Sequence, residues 1–170
     1  MGNQNYIKTS IRERILLQRL IDFKDLELIK FSQEDSYSKW DAVIMSGNNK
    51  CLIESKVRSY NISTFNGWII EKNKYDFLIQ ESKKYNIIPL YINFHNDGIQ
   101  IWDLSKIAEP IWSEQQLPKN SQDEDEEIKI KIVGELDSNL SEHIFININW
   151  ISISKEVQKI YTQKYDDRGN

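Results

Sequence analysis

Asp41 and the trio Glu54-Ser55-Lys56 are the residues whose types and spacing could do chemistry. Between them lie two apolar, strand-like runs joined through Gly47-Asn48-Asn49. Carboxylate oxygens suit a hard cation such as Mg²⁺, which takes one or two of them and keeps several waters. Side chains alternate along a strand with period two, so Lys56 shares a face with Glu54. Two carboxylates and an ammonium placed in this way could hold a metal ion and an attacking water beside a phosphodiester. The chemistry indicated is metal-assisted phosphodiester hydrolysis.

The hairpin decides whether these groups meet. With a turn centred on Gly47-Asn48, Asp41 faces Glu54 directly, their Cβ atoms roughly 5 Å apart. A register shift of one residue would turn Asp41 to the opposite side. Along the third strand Leu52, Glu54, Lys56 and Arg58 fall on one face, which becomes more polar toward its C-terminal end. That pattern reads as an apolar floor with an active end. Glu-x-Lys also occurs at Glu81-Ser82-Lys83 and Glu127-Ile128-Lys129, but only Glu54 has a carboxylate across a tight turn.

The elements around the hairpin follow from periodicity and turn signals. Ser10 and Glu13 have capping-box spacing ahead of Ile15, Leu16 and Leu20, which predicts a first helix over 10–22. Strands are expected over 26–31, 39–46 and 50–59, and a second helix over 67–84. Two further strands, 87–94 and 98–104, are joined across Asn96-Asp97-Gly98, a strong hairpin signal. Pro110, Pro118 and the run Asp123-Glu124-Asp125-Glu126-Glu127 suggest a loop-rich connection over 107–127. Beyond it the pattern reads as strands over 128–136 and 144–153, a last helix over 154–165, and a frayed end.

Composition sets the bounds. A chain of 170 residues with 39% hydrophobic and 11% aromatic residues can bury a full core. Its formal net charge of −4 counts against a non-specific duplex-coating protein, whereas an enzyme needs only a local basic groove. A single cysteine, Cys51, excludes an intrachain disulfide and a cysteine-rich zinc site. The polar N-terminus lacks a signal-like apolar region, and no apolar run approaches membrane-spanning length. The expectation is a soluble, cytoplasmic protein with no membrane partner.

The order helix, three-stranded meander, helix, two strands, together with Asp41 and Glu54-x-Lys56, resembles the PD-(D/E)xK nuclease superfamily. The resemblance implies an α/β restriction-endonuclease-like core, αβββαβ, with a central mixed sheet flanked by helices. It assigns 1–105 to that core and leaves 106–170 as a β-rich C-terminal extension packed on the same domain. By this likeness Asp41, Glu54 and the Ser55 backbone carbonyl are ligands of Mg²⁺, with Mn²⁺ able to substitute, and Lys56 orients the attacking water. Trp40 stands where the family pattern has proline. The products implied carry 5′-phosphate and 3′-hydroxyl ends.

Other candidates are weighed beside these. Glu13 occupies a place from which some family members supply another metal-site carboxylate. Glu71 and Tyr75 resemble the Gln-x-x-x-Tyr element of RecB-like branches, with glutamate replacing glutamine. Arg58, beside the motif, and Lys72, near Glu71, are candidate phosphate contacts among Arg12, Arg14, Lys74, Lys83 and Lys84. Trp40 could stack on a base. His95 and His143 read as structural or surface residues. The expected partner is nucleic acid, DNA favoured over RNA, and the family's small members suggest a homodimer. The alternative is an inactive nuclease-like module that binds nucleic acid or protein, against which the intact Asp, Glu and Lys argue.

Overall fold

The computed structural model describes residues 4–33, 38–118 and 128–166. Helix α1 (Gln4–Phe23) is followed by the strands β1 (Glu27–Phe31), β2 (Ala42–Ser46) and β3 (Asn49–Val57). These three pair antiparallel as a meander. The helix starts earlier than the expected 10–22 because Ile7 and Ile11 continue its buried stripe toward the N-terminus. Ser10 and Glu13 therefore lie within the helix, so their spacing is not a capping box. The β2–β3 turn has the expected centre, with Ser46 opposite Asn49 and Ala42 opposite Ile53. Gly47 at its first position has φ +58°, a conformation that glycine adopts without cost from a Cβ.

After β3 and a 3₁₀ turn at Ile62–Thr64 the chain forms strand β4 (Gly67–Glu71), then helix α2 (Lys72–Tyr85). The sequence predicts one helix over 67–84, and the first five of those residues depart from it. Trp68 and Ile70 alternate into a core, and their strand is held by a ladder to residues far along the chain, Trp68 opposite Leu136 and Ile70 opposite Gly134. Helix α2 ends where Asn86 turns left-handed, at φ 52°, and its N–H returns to the Ser82 carbonyl. Strand β5 (Ile88–Phe94) then runs parallel to β3, and β6 (Gly98–Asp103) returns antiparallel through the expected hairpin.

The C-terminal part supplies β7 (Trp112–Pro118), β8 (Ile128–Asp137), β9 (Glu142–Phe145) and helix α3 (Trp150–Tyr161). Strand β7 falls within the stretch expected to be loop, because it completes a hairpin with β8. The acidic run at 123–127 and the last four residues lie outside the described residues. The strand expected over 144–153 stops at Phe145. The Asn149 side chain accepts a hydrogen bond from the Ser152 N–H and starts α3 there.

The strands form two sheets. The larger is ordered β1-β2-β3-β5-β6-β9, and the smaller β4-β8-β7. One face of the large sheet (Ile44, Ile53, Ile92, Phe94) packs on α1 and α3 through Leu17, Leu20, Ile153 and Val157. The other face (Leu52, Tyr91, Trp102) meets α2 and the small sheet through Leu78, Trp68, Ile70 and Leu136. Strand β3 is therefore covered on both sides, with residues 51–55 all buried. Among the described residues no helix is long and apolar enough to cross a membrane.

Candidate active site

Asp41 lies one residue before β2 and is tied to β3 by its backbone, whose N–H donates to the Ile53 carbonyl at 2.7 Å. Its side chain is fixed by the neighbouring residue of the motif. Asp41 Oδ2 accepts from the Ser55 N–H at 2.6 Å and from Ser55 Oγ at 2.8 Å. Ser55 thus enters the site through its N–H and hydroxyl as an anchor for Asp41. The expected register holds, and it brings the two carboxylates to the same end of β3.

Glu54 is fully buried, at 0% exposure, yet it is not an isolated charge. Its Oε1 receives Lys56 Nζ at 2.8 Å and Lys74 Nζ at 3.0 Å. Lys74, from the first turn of α2, also donates to the Ser38 carbonyl at 2.6 Å. Glu13 reaches the same place from α1 on the opposite side, with Oε1 3.9 Å from Lys56 Nζ. Five side chains from α1, β3, α2 and the segment before β2 therefore converge, three carboxylates with two ammoniums. Lys56, with 31% of its side chain exposed, marks the opening to solvent.

This crowding sets the protonation of the site. Burial, with Lys56 opposing and Asp41 and Glu54 reinforcing, pushes the Glu13 carboxyl up to about 8. Asp41 is pushed up to about 6, by burial first and by Glu54 second, with Lys56 and the Ser55 hydrogen bonds opposing. Burial also acts to raise Glu54, but the Lys56 and Lys74 ammoniums outweigh it and hold this carboxyl below its ordinary value. Burial pulls Lys56 down, yet Glu54, Glu13 and Asp41 together keep its ammonium protonated well above the ordinary lysine range. Lys56 is consequently a donor and a fixed positive charge at neutral pH. It cannot take a proton from water.

A hard divalent cation fits this donor set. Glu54 Oε2 is buried without a hydrogen-bond partner among the described residues, which leaves an acceptor lone pair unused beside Asp41. Three carboxyl groups share the site with two ammoniums, and burial above all, with the neighbouring carboxylates adding to it, raises Glu13 and Asp41. Among the described residues no three His, Cys, Asp or Glu side chains are grouped closely enough to hold a metal ion between them; the three carboxylates meet around the lysines instead. Mg²⁺ does not require such a group, since one or two carboxylates and several waters suffice.

The remaining candidates fall around this centre. Arg58 is placed two residues beyond Lys56 and turned inward. Its guanidinium donates to Asn93 Oδ1 at 3.3 Å, to Tyr91 Oη at 3.0 Å and to the Ile69 carbonyl at 3.0 Å. Lys72 pairs with Asp76 at 2.7 Å and lies over the Trp112 ring. Glu71 ends β4 and pairs with Lys131 from β8 at 2.9 Å, so Glu71 and Tyr75 do not share a helical face as the sequence predicts. Tyr75 is buried and edge-on to Trp112. Trp40 carries Lys30 over its ring. His95 is buried against Trp68, and burial pushes its pKa down to about 4, while His143 contacts Gln100.

Lys74 is the residue whose place sequence reasoning did not single out from the other lysines. The signal available was its spacing, four residues before the fully buried Leu78 and three after Glu71. That spacing puts Lys74 at the margin of the buried face of α2.

No family model matches the sequence, and no curated protein matches it. The structure is similar to that of Archaeoglobus fulgidus Hjc, a Holliday junction resolvase from an archaeal hyperthermophile, with a TM-score of 0.52 at 11% identity. The match covers 79% of this chain and 91% of that one. The chain therefore has the restriction-endonuclease-like fold expected from its motif, a mixed α/β architecture around a central mixed sheet.

Proposed function

We propose that this protein is a divalent-metal-dependent nuclease that hydrolyses phosphodiester bonds of DNA. The observation that carries the reading is the convergence of Asp41, Glu54 and Lys56 at one buried end of β3, with Glu54 bridged to two ammoniums. The fold supports it, and the similar structure is that of a Holliday junction resolvase. Asp41 and Glu54 would hold Mg²⁺ or Mn²⁺, joined by the Ser55 carbonyl, with Glu13 as a further carboxylate within reach. When bound, such an ion supplies Lewis-acid polarisation of the phosphoryl oxygen and lowers the pKa of a coordinated water.

The chain's own residues do the positioning. Ser55 holds Asp41 in one orientation through two hydrogen bonds, so the carboxylate needs no reorganisation during reaction. Lys56, held protonated by its carboxylate neighbours, orients the attacking water as a donor and offsets charge that builds on the phosphate. Burial of Glu54 keeps the surrounding dielectric low, which strengthens each of these interactions. A pair of chains would present two such sites to two strands.

The test is incubation with linear, circular, single-stranded and four-way-branched DNA and with RNA, in Mg²⁺, in Mn²⁺ and in EDTA. The expected result is cleavage of at least one DNA substrate only with the divalent ion, leaving 5′-phosphate and 3′-hydroxyl ends. Absence of cleavage on every substrate with both ions, or cleavage undiminished by EDTA, would overturn the assignment.

A further inference from the structure

One oxygen of Glu54 carries two ammoniums, where a single one would neutralise the carboxylate. Lys56 Nζ stands 2.8 Å and Lys74 Nζ 3.0 Å from Glu54 Oε1. The two lysines are tethered differently. Lys74 is also held by the Ser38 carbonyl at 2.6 Å, in the segment that leads to Asp41, and its side chain is 20% exposed. Lys56 is 31% exposed at the opening of the site, and its second ion pair, to Glu13, is 3.9 Å long. Lys74 is therefore fixed closely at two points, and Lys56 closely at one.

The role proposed for Lys56 gives this double pairing a use. To orient a water and meet the phosphate, the Lys56 ammonium has to turn from Glu54 toward the opening. Glu54 is at 0% exposure, and a buried carboxylate deprived of its partner is strongly destabilising. With Lys56 as its sole cation, Glu54 would hold the motif lysine back. Lys74 removes that restraint, because it stays on Oε1 whichever way Lys56 points. We infer that Lys74 is a positioning residue that keeps Glu54 paired while Lys56 leaves it for the phosphate. The inference rests on the nuclease reading above and deepens it. Lys74 touches neither water nor phosphate in this role; it acts through Glu54, and by that route on Lys56.

The experiment is a double-mutant cycle on the full chain: wild type, Lys56→Ala, Lys74→Met and both together, with Lys74→Arg as the conservative variant. Thermal melting in EDTA reads the pairing without metal or substrate. Either lysine alone keeps Glu54 paired, so the melting temperature is expected to fall further in the double variant than the two single falls added together. Cleavage in Mg²⁺ reads the release of Lys56. Lys74→Met is expected to lower kcat by about 10-fold or more in the wild-type background and by less than about 2-fold in the Lys56→Ala background, a coupling of the size found within one ion-pair network. Lys74→Arg, which restores the charge, is expected to keep most of the wild-type rate. Equal losses of rate in the two backgrounds, or additive falls in melting temperature, would overturn the inference and leave the nuclease reading in place. No cleavage by folded wild type on any substrate would overturn both. If the double variant fails to fold, Lys56→Gln and Lys74→Gln replace the pair throughout the cycle, with the same expectations.

Discussion

Asp41 is held by the residue that separates the other two members of its motif. Both hydrogen bonds to Asp41 Oδ2 come from Ser55, one through the backbone and one through the hydroxyl. Ser55→Ala keeps the first and removes the second, and it is expected to weaken Mn²⁺ binding by about 10-fold or more, as loss of an outer-shell partner does. Calorimetric titration measures this, and an unchanged affinity would show that the hydroxyl does not orient Asp41. The raised carboxyls predict a pH dependence as well. Free carboxyls titrate near about 4, whereas folding moves Asp41 to about 6 and Glu13 to about 8. The folded chain thus binds more protons than the unfolded one in this window. The stability these groups contribute is complete below about pH 4 and is lost as pH rises through about 6 and then about 8. In EDTA the melting temperature should fall across that range, and Glu13→Gln should flatten its upper part; a variant curve parallel to wild type would contradict this. At this scale Asp41, Glu54 and Lys56 were legible because a two-residue turn fixes hairpin register and register fixes faces. Glu13 was legible only in part, because capping-box spacing also occurs inside a helix whose start lies further upstream. Lys74 was hidden among surface-type lysines, since its partner Glu54 is reached only through the fold.

The junction between β4 and α2 is where sequence and structure part most clearly. Gly67 to Glu71 runs into a helix with no proline or further glycine between them, so helical spacing accommodates Trp68 with Tyr75 and Leu78. The strand forms because β8 supplies a ladder from the far end of the chain, and local pattern carries no information about that partner. The same limit hid β7. The alternation of Ile144, Ile146 and Ile148 overextended a strand that in fact stops at Phe145, ahead of the helix that Asn149 caps. Arg58 shows what the junction requires. Its guanidinium joins Tyr91 and Asn93 of the large sheet to the Ile69 carbonyl of the small one. Arg58→Ala should therefore destabilise the fold by about 2–4 kcal/mol, the cost of several charge-assisted hydrogen bonds lost together. Urea unfolding reads this directly, and a loss well under 1 kcal/mol would show that the brace is dispensable.

At the scale of the whole molecule, residues after Ser105 close the structure on both faces of the large sheet. Strand β8 pairs with β4 and contributes Leu136 to the core beneath α2, while α3 packs Ile153 and Val157 with α1. Strand β9 extends the large sheet beyond β6. A chain ending at Ser105 would leave β4 without a partner and expose apolar surface of both cores, so it should lack cooperative thermal unfolding. A sharp two-state transition in that fragment would show that 1–105 folds by itself. The first helix, the three-stranded meander and the β5–β6 hairpin were readable from periodicity and turn signals. The way the C-terminal third completes the cores was not, because it depends on contacts between distant residues. The central claim concerns the end of β3, and the most direct test is cleavage by folded Glu54→Ala and Lys56→Ala beside wild type, on the DNA that wild type cuts fastest in Mg²⁺. Loss of about 100-fold or more in each variant, the scale expected when a group that stabilises the transition state is removed, is the predicted result. Cleavage at the wild-type rate in either variant would contradict the account.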